Sequence, residues 1–363
     1  MDRLTPPQGR PGQAPPGTVV ALFGPTSAGK TRLAVELGQR IQSRLGLEPV
    51  VISADSRQVY RYMDIGTSKT TEAERHGIRH EMIDVADPLR QLELERYVLL
   101  ARGHLAAALR SGRLPLIVGG TGVYLAALLE GWEVKGTAAA RLALRRAFPR
   151  PQAHAAHRLL GRLERDAARR VAPQNYEGVI NALVVAIVGS RSRPAATTLH
   201  SPTGGQASPL AATRVVLGLD PGRRILEARI SRTYQAQLRR GLIDEVMALN
   251  RRYDLERELR RRGRDTQNQV LHTHGYREFF ELAAARGKGI RALSAADLAA
   301  VRELTLEHIR QYARRQRGWL RKLPGLQPIA DVEQAFREVV TALRRPSSTL
   351  DVVTTSPKRS GTP

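Results

Sequence analysis

The run GPTSAGKT, residues 24–31, has the spacing of a phosphate-binding loop and matches G-x-x-x-x-G-K-[ST] at every fixed position. Its glycines let backbone N–H groups close around phosphate oxygens, its lysine adds charge, and its threonine opens a helix whose N-terminus favours anions. We therefore predict a phosphorylated ligand, with Mg²⁺ held by the threonine hydroxyl. ATP is the usual ligand of such loops, but the pattern alone does not identify it. The predicted contacts are Gly24, Pro25, Thr26, Ser27, Ala28, Gly29, Lys30 and Thr31.

An acidic residue follows the next apolar run along the chain. Asp55 lies near the end of PVVISADS and near the start of the stretch SADSRQVYRYMDIGTSK. It could neighbour a bound metal ion, act as a general base that faces an acceptor, or cap a helix N-terminus. The spacing alone favours none of these three roles. If the two strands are neighbours in a sheet, Asp55 lies beside the phosphate-binding loop.

A glycine-rich turn follows the third apolar run, in LPLIVGGTG. Gly119, Gly120 and Gly122 leave the backbone bare around the hydroxyl of Thr121. A plain tight turn explains the same residues equally well when the motif is taken alone. Together with the two motifs before it, the turn indicates a site built from three strand ends.

Basic residues dominate the charge of the chain, with 58 Lys and Arg against 34 Asp and Glu and a formal net charge of +24. A genome that favours arginine codons accounts for part of this excess. We interpret the remainder as a surface for a polyanion, since clustered arginines bind phosphates.

The clearest basic cluster lies in LEHIRQYARRQRGWLRK, where arginines recur at steps of four, three and four. That spacing predicts one stripe on a helix, and a phosphate-binding ridge is favoured over a merely solvated face. The stripe consists of Arg310, Arg314, Arg317 and Arg321. An upstream helix, GRRILEARISRTYQAQL, adds Arg223, Arg229 and Arg232.

The elements that carry these motifs alternate between strand and helix. TVVALF, PVVISADS, LPLIVGGTG and VVLGL are predicted strands, and residues 31–46 have helical spacing of Leu33, Leu37, Ile41 and Leu45. This order predicts an α/β fold with a parallel, doubly wound sheet, whose ligands bind beyond the carboxyl ends of the strands.

The predicted domain organisation follows from shifts in composition. Residues 18–131 and 187–345 form the α/β core with basic C-terminal helices, and residues 132–186 form an all-helical insertion domain. Residues 1–17 and 346–363 are polar, rich in proline, glycine or serine, and expected to be disordered. The chain has no Cys, which excludes disulfides and thiolate catalysis, and its nine His show no metal-ligand spacing. Without an apolar run long enough to span a membrane, we expect a cytoplasmic protein with no membrane partner.

The motifs together resemble the tRNA dimethylallyltransferase (tRNA isopentenyltransferase) family over roughly 18–131 and 220–325. The resemblance rests on GPTSAGKT, SADSRQVYRYMDIGTSK, RHEMID and GRLPLIVGGTGVYLAALLEG, followed by GLIDEV, HGYRE and RQYARRQRGWLRK. It implies a P-loop NTPase-like parallel sheet flanked by helices. It also implies transfer of a dimethylallyl group from dimethylallyl diphosphate to N6 of the adenine 3′ of a tRNA anticodon, with release of diphosphate.

The resemblance assigns roles to individual residues. Asp55 is the expected general base, Thr121 its partner, and the P-loop with Arg232 binds the donor diphosphate together with Mg²⁺ on Thr31. The insertion is expected to contact the anticodon loop of a tRNA anticodon stem-loop, and the protein is expected to be monomeric. The residues expected to bind tRNA are Asp55, Ser56, Arg57, Gln58, Gly275, Tyr276, Arg277, Arg310, Arg314, Arg315, Arg317 and Arg321.

The chain departs from the family pattern in several places. Ser27-Ala28 inverts the usual Ala-Ser order, Glu81 stands where His is common, and Gly318 stands where Thr is usual. In the insertion, EGVINALV matches a segment that usually reads R-x-x-R-A-L-E. The polar positions of that segment are Gly178, Asn181 and Val184 here.

Three rival interpretations remain open from sequence. One is an adenylate isopentenyltransferase, although Ser56 stands where those enzymes typically carry Lys. A second is a small-molecule P-loop kinase, which has no need of such a basic C-terminal third. A third is a catalytically silent RNA-binding relative, which the altered insertion would favour.

Overall fold

The computed structural model describes residues 13–15, 17–131, 137–190, 213–263 and 266–344. Among them, six parallel strands form one sheet in the order β3-β2-β4-β1-β5-β6. The strands are β1 (Thr18–Phe23), β2 (Pro49–Ser53), β3 (Arg79–Glu81), β4 (Leu114–Gly119), β5 (Thr213–Leu219) and β6 (Leu326–Ile329). The predicted α/β fold with a parallel sheet is confirmed.

Helices flank the sheet and dominate the C-terminal third. Those before the insertion are α1 (Lys30–Leu45), α2 (Glu72–Arg75), α3 (Leu94–Arg110) and α4 (Gly122–Leu129). Those of the insertion are α5 (Thr137–Ala147), α6 (Ala153–Leu163), α7 (Arg165–Arg170) and α8 (Tyr176–Ser190). Those that follow β5 are α9 (Arg223–Arg239), α10 (Leu242–Tyr253), α11 (Leu255–Arg262), α12 (Arg277–Ala285), α13 (Ala295–Arg317) and α14 (Val332–Arg344).

The central strands are apolar because both faces of the sheet are covered. Every residue of β1, β2 and β4 is buried, and α1 and α3 both pack against β2 and β4. The four strands predicted from sequence are therefore confirmed. The two edge strands were missed because β3 is the polar tripeptide Arg79–Glu81 and β6 has two exposed central residues.

The strand order corrects one expectation about the site. β2 is not a neighbour of β1, because β4 lies between them and pairs with both. Asp55 at the end of β2 is therefore separated from the phosphate-binding loop by the width of two strand spacings, roughly 10 Å in a typical sheet. The end of β4, which carries Thr121, fills the space between the two.

The insertion helices pack around an apolar cluster of their own. Leu160 of α6 and Val179, Ile180 and Leu183 of α8 are fully buried there. An ion pair between Arg141 and Glu93, at 2.9 Å, joins α5 to the start of α3. The insertion is thus a separate small helical body held beside the sheet.

Some expectations lie largely outside the described residues. These are the disorder expected for 1–17 and 346–363, and the start of the insertion at 132–136. Within the described part of the chain, no helix is both long enough and apolar enough to cross a membrane.

Candidate active site

The phosphate-binding loop joins β1 to α1 through residues with left-handed backbone. Ser27 has φ 59° and Gly29 has φ 100°, a conformation that glycine adopts without strain. A Cβ added to Gly24 would collide with the carbonyl oxygen of Leu219, so the loop begins directly against the end of β5. Lys30 opens α1 and donates from Nζ to the Pro25 carbonyl at 2.7 Å. The loop is therefore folded back on its own lysine.

The buried environment of Lys30 disfavours its protonated form. Burial lowers the pKa of Lys30 to about 8, while the nearby charge of Asp55 acts in the opposite direction. An anion that binds beside Lys30 favours protonation of its amine. The electrostatic link also shows that Asp55 acts on the loop although β4 separates their strands.

One arginine reaches the loop from α9. Arg229 donates from Nη1 to the Ala28 carbonyl at 2.6 Å. Arg232, the residue chosen from sequence for the donor diphosphate, lies three residues further along the same helix and is exposed. The two side chains share one face of α9, and Arg229 is the one that contacts the loop.

Asp55 caps the turn that follows β2. Its Oδ1 accepts the N–H of Arg57 at 2.8 Å and lies 3.4 Å from the N–H of Gln58. No helix directly follows Asp55, so the helix N-cap considered from sequence is wrong, and the carboxylate caps a turn instead. The residue remains partly exposed. Burial raises the pKa values of Tyr97 and Tyr124, and the charge of Asp55 adds to the effect. A carboxylate held by one oxygen and partly open to solvent is also able to accept a proton.

Thr121 is tied to the Asp55 segment by two hydrogen bonds. Its Oγ1 accepts the N–H of Ser56 at 3.0 Å, and its own N–H donates to the Ala54 carbonyl at 3.1 Å. The structure therefore brings Asp55, Ser56 and Thr121 together. Tyr312 of α13 joins them, since its hydroxyl interacts with those of Ser56 and Thr121; burial raises the pKa of Tyr312, and the charge of Asp55 adds to the effect.

The glycines around Thr121 make room for the protein itself. A Cβ on Gly119 would collide with the backbone of Ala54, and one on Gly122 would collide with the ring of Trp319. The sequence interpretation, that these glycines bare the backbone around the threonine hydroxyl, is corrected accordingly. They allow β2 and the end of α13 to approach the turn closely.

Gln316 is a site residue that the sequence analysis missed. It accepts the N–H of Thr26 and donates to the Gly120 carbonyl, each at 2.8 Å, and it is 4% exposed. In the sequence it stands within a run of arginines, whose pattern indicates a charged surface and not a buried amide. The available signal was its place on the face of α13 opposite the arginine stripe.

The basic stripe is only partly continuous in the structure. Arg317 is the last residue of α13 and donates from Nε to Asp220 Oδ2 at 2.8 Å. Arg321 falls in a short 3-10 helix, Gly318–Arg321, so the predicted single helical stripe is wrong at its end. Arg314 and Arg321 are exposed. Arg315 is exposed beside the ring of Tyr312, and Arg310 is partly buried near Glu307.

Tyr276 of the HGYRE motif is buried and supports another loop. Its hydroxyl donates to Glu245 Oε1 at 2.7 Å, and its ring lies against Gly66. Glu245 also accepts the N–H groups of Asp64, Ile65 and Gly66 at 2.8–3.0 Å. The MDIGT loop is thus held by the GLIDEV and HGYRE motifs, which explains why the three occur together in one chain.

The rest of the HGYRE motif forms a network with α13. Glu278 Oε1 lies 3.2 Å from His274 Nδ1, 2.7 Å from His308 Nδ1 and 3.1 Å from Arg277 Nε. Although burial opposes ionisation, these groups lower the pKa of Glu278 to about 2. His274, Glu278 and His308 have the proximity of a metal site, but the guanidinium of Arg277 already occupies the shared carboxylate oxygen.

The side chains after Asp55 connect the site to its surroundings. Arg57 donates from Nη1 to Gln269 Oε1 at 3.1 Å. Gln58 donates from Nε2 to the carbonyl oxygen of Ser68, in the MDIGTSK stretch, at 3.3 Å. Gly275, which precedes Tyr276, has φ 94° and donates its N–H to Glu278 Oε2 at 2.8 Å. These contacts position the loops around Asp55.

The residues outside the insertion that differ from the family pattern either contact neighbouring side chains or have room around them. Ala28 is buried in the loop while Ser27 stays partly exposed. Glu81 Oε1 accepts from Arg79 Nε at 2.5 Å, and Glu81 Oε2 lies 3.2 Å from His104 Nδ1. An added Cβ on Gly318 would meet no atom within 4 Å. None of these changes disturbs the phosphate-binding loop or the Asp55 turn.

The three changed insertion positions have different environments on α8. Asn181 is exposed, whereas Val184 is 2% exposed and belongs to the apolar cluster of the insertion. Gly178 donates its N–H to Asn175 Oδ1 at 3.1 Å. A cavity of about 200 Å³ is lined by Arg150 of the insertion and by Arg277 and His272 of the core.

Known proteins are similar to this chain over most of their length. A family profile described as IPP transferase matches residues 58–323. A tRNA dimethylallyltransferase of Anaeromyxobacter sp. (strain Fw109-5) is 36% identical over 326 residues, which cover 88% of this chain and 98% of the relative. The chain belongs to the IPP transferase family.

Further relatives and solved structures agree with this assignment. A tRNA dimethylallyltransferase of Bacillus velezensis is 31% identical, with 88% of this chain and 95% of the relative covered. The tRNA isopentenylpyrophosphate transferase structure from Bacillus halodurans matches with a TM-score of 0.56 and 27% identity, covering 90% of this chain and 95% of that one. A eukaryotic dimethylallyltransferase crystallised acting on tRNA has a TM-score of 0.63 at 22% identity, covering 87% and 75%. The predicted family and its P-loop NTPase-like fold are confirmed.

Proposed function

We propose that this member of the IPP transferase family transfers the dimethylallyl group of dimethylallyl diphosphate to N6 of the adenine immediately 3′ of a tRNA anticodon. The coarser statement, that the chain is a prenyl transferase acting on tRNA, follows from its relatives. The identity of the donor and of the target adenine is supported by a single arrangement. The phosphate loop with Lys30, the turn with Thr121 and the turn with Asp55 follow the ends of three neighbouring strands, β1, β4 and β2.

Proton removal is the step that Asp55 is suited to perform. The exocyclic amine of adenine is a weak nucleophile because its lone pair is delocalised into the ring. As N6 attacks C1 of the dimethylallyl group, the C1–O bond breaks and the diphosphate leaves with the electron pair. Asp55 accepts one N6 proton as the C–N bond forms, which is general base catalysis. Thr121 holds the backbone of Ser56 beside it.

The departing diphosphate is stabilised by the phosphate loop. The N-terminus of α1, the loop N–H groups and Lys30 present positive charge where the leaving oxygen becomes negative. Arg229 reinforces the loop from α9, and we propose that exposed Arg232 on the same face reaches the outer phosphate. The loop therefore binds a prenyl diphosphate in the place where other P-loop proteins hold a nucleotide.

We further propose Mg²⁺ as the cofactor at Thr31. Hydroxyl and phosphate oxygens are the hard donors that Mg²⁺ prefers, and it is commonly held by few protein groups plus substrate phosphates. The partly buried Thr31 at the start of α1 fits this pattern. When bound there, the ion neutralises charge on the diphosphate.

The acceptor is proposed to bind across the basic C-terminal helices and the insertion. Exposed arginines of α13 and the following turn, Arg314, Arg315 and Arg321, would hold backbone phosphates without reading sequence. The target adenine must leave its stack to reach Asp55, which is a base-flipping step. We expect the protein to work as a monomer in the cytoplasm.

Transfer of labelled dimethylallyl from its diphosphate with Mg²⁺ tests the proposal. Three acceptors are offered separately: bulk tRNA, AMP and none. Label in tRNA alone is expected. Label in AMP would instead identify an adenylate isopentenyltransferase, and absence of label while tRNA still binds would identify a silent RNA-binding relative.

A further inference from the structure

Gln316 links the two loops that flank the donor site. Its side-chain oxygen accepts the N–H of Thr26 at 2.8 Å, and its side-chain nitrogen donates to the Gly120 carbonyl at 2.8 Å. The side chain is 4% exposed, so water does not readily replace either hydrogen bond. A buried amide satisfied at both ends fixes the separation of the groups it joins.

The two loops come close together at this point. A Cβ added to Gly120 would collide with the Gln316 amide and would lie 3.2 Å from the carbonyl oxygen of Gly24. The same glycine-rich turn carries Thr121, which holds the backbone of Ser56. A change at Gln316 is therefore transmitted both to the phosphate loop and to the turn beside Asp55.

Gln316 also belongs to the helix that carries the basic stripe. Its neighbour Arg317 is bonded to Asp220, the residue after β5, and Trp319 packs on Gly122. The end of α13 is thus anchored at the ends of β1, β4 and β5 at once. No other side chain whose contacts are described above joins the phosphate loop to α13.

We propose that Gln316 is a positioning residue that sets the geometry of the donor diphosphate site and couples it to the tRNA-binding helix. The proposal rests on the function proposed above. Because Gln316 takes the Thr26 N–H, the first turn of the loop is fixed before the donor arrives. The Ala28 N–H donates to the Pro25 carbonyl at 3.2 Å, and the amides of Ser27, Gly29, Lys30 and Thr31 are presented to the diphosphate in one arrangement, which favours tight binding through preorganisation.

Two substitutions separate this role from general stabilisation. Gln316→Met keeps the length and apolar stem but leaves the Thr26 N–H and the Gly120 carbonyl without their partner. Gln316→Glu keeps an acceptor for Thr26, loses the donor to Gly120 and adds a negative charge near the diphosphate. Gln311→Met is the matched control, because Gln311 is exposed on the same helix and its side chain donates to Glu307 at 3.0 Å.

The readouts are the KM for dimethylallyl diphosphate, kcat, and the Kd for tRNA without donor. We expect Gln316→Met, which removes two buried hydrogen bonds, to raise the donor KM by about tenfold or more, with the tRNA Kd changed less than twofold. Gln316→Glu is expected to raise the donor KM further, with partial recovery as pH is lowered and the new carboxyl protonates. Gln311→Met should leave all three values unchanged.

An unchanged donor KM in both Gln316 variants would overturn the proposal, as would a rise in tRNA Kd equal to the rise in donor KM. If transfer is too weak to measure, equilibrium binding of inorganic diphosphate without tRNA tests the role of Gln316 at the donor site. Weaker diphosphate binding by the folded Gln316→Glu variant supports the proposal and unchanged binding contradicts it. Failure of the wild-type chain to prenylate tRNA would instead contradict the proposed function.

Discussion

The donor loops and the insertion helix α8 both carry motif residues, but these residues converge in the donor loops and have different exposure on α8. At the strand ends, Lys30, Asp55 and Thr121 converge and are linked by charge or by backbone hydrogen bonds. On α8, Asn181 is exposed while Val184 is buried in an apolar cluster. Motif residues at strand ends share one location, whereas motif residues on a helix are distributed around it.

The difference has a geometric cause. Parallel strands present their carboxyl ends at one edge of the sheet, so residues that follow them meet whatever their separation in sequence. Successive residues on a helix point about 100° apart, so positions three residues apart are rotated by about 60° and positions six apart by about 120°, and one of them can be exposed while another is buried. Substitutions at the strand ends should therefore alter chemistry, and those on α8 should alter folding or binding according to exposure.

The largest effect is expected from Asp55→Asn. The amide keeps the cap on the Arg57 N–H but does not accept a proton at neutral pH, so the single-turnover transfer rate should fall by about 10²–10⁴-fold. The tRNA Kd should stay within twofold. Exposed Asp244 provides the control Asp244→Asn, which should leave the rate unchanged. An Asp55→Asn variant with the wild-type rate would remove the general-base assignment.

Val184→Glu tests the insertion side of the comparison. Family members generally carry an acidic residue here, but in this chain the site is 2% exposed among apolar side chains. Burial of an unpaired carboxylate should lower the free energy of unfolding of the insertion by about 3 kcal/mol or more. Thermal unfolding and diphosphate binding are measured together, and diphosphate binding should persist. The control is Val185→Glu, 52% exposed, for which less than about 0.5 kcal/mol is expected; equal losses in both variants would contradict the assigned burial.

A smaller effect of pH is expected at the donor loop. The pKa of Lys30 is lowered to about 8, so the free enzyme loses this positive charge as pH rises through 8. The kcat/KM for dimethylallyl diphosphate should then decline above pH 8, by up to about tenfold per pH unit. Lys30→Arg stays charged and should lack this decline, even if its absolute kcat/KM is lower. A wild-type profile that remains flat to pH 10 would show that the Lys30 charge does not contribute to donor binding.

Tyr276→Phe separates support from recognition. Loss of the hydroxyl removes one hydrogen bond to Glu245, which keeps its three backbone donors, so stability should fall by about 1 kcal/mol. The tRNA Kd should change less than twofold because the side chain is buried. Chemical denaturation and tRNA binding measure the two quantities. A large rise in tRNA Kd without loss of stability would support the direct tRNA contact expected from sequence.

The sequence could predict the fold and much of the site because the relevant signals are local. The apolar runs of β1, β2 and β4, the phosphate-loop pattern and the polar residues after each strand are all contiguous. By contrast, Gln316 contacts Thr26 from 290 residues away, and Arg229 reaches Ala28 from 201 residues away. Nothing in the local pattern distinguishes Arg229 from Arg232, because the rotation of α9 against the loop is set by packing. The contact of Gly122 with Trp319 could not be predicted for the same reason, since the two residues are remote in sequence.

Asn181→Arg should produce the smallest change, and it tests the exposed position of α8 against the buried one. Asn181 is exposed on α8, at a position where family members generally carry an arginine, so a guanidinium there costs little folding energy. One added phosphate contact should tighten tRNA binding about two- to threefold at low salt and steepen the salt dependence of the Kd by up to about one phosphate equivalent. Donor KM should not change, because Asn181 lies in the insertion and the contacts of the donor loops described above are with α9 and α13. Exposed Asn181 and buried Val184 lie three residues apart, so opposite outcomes at the two positions would show that burial on α8, rather than motif position, decides which changes this chain tolerates. Tightened tRNA binding in both Asn181→Arg and Val184→Glu would mean that α8 presents both side chains to the anticodon loop.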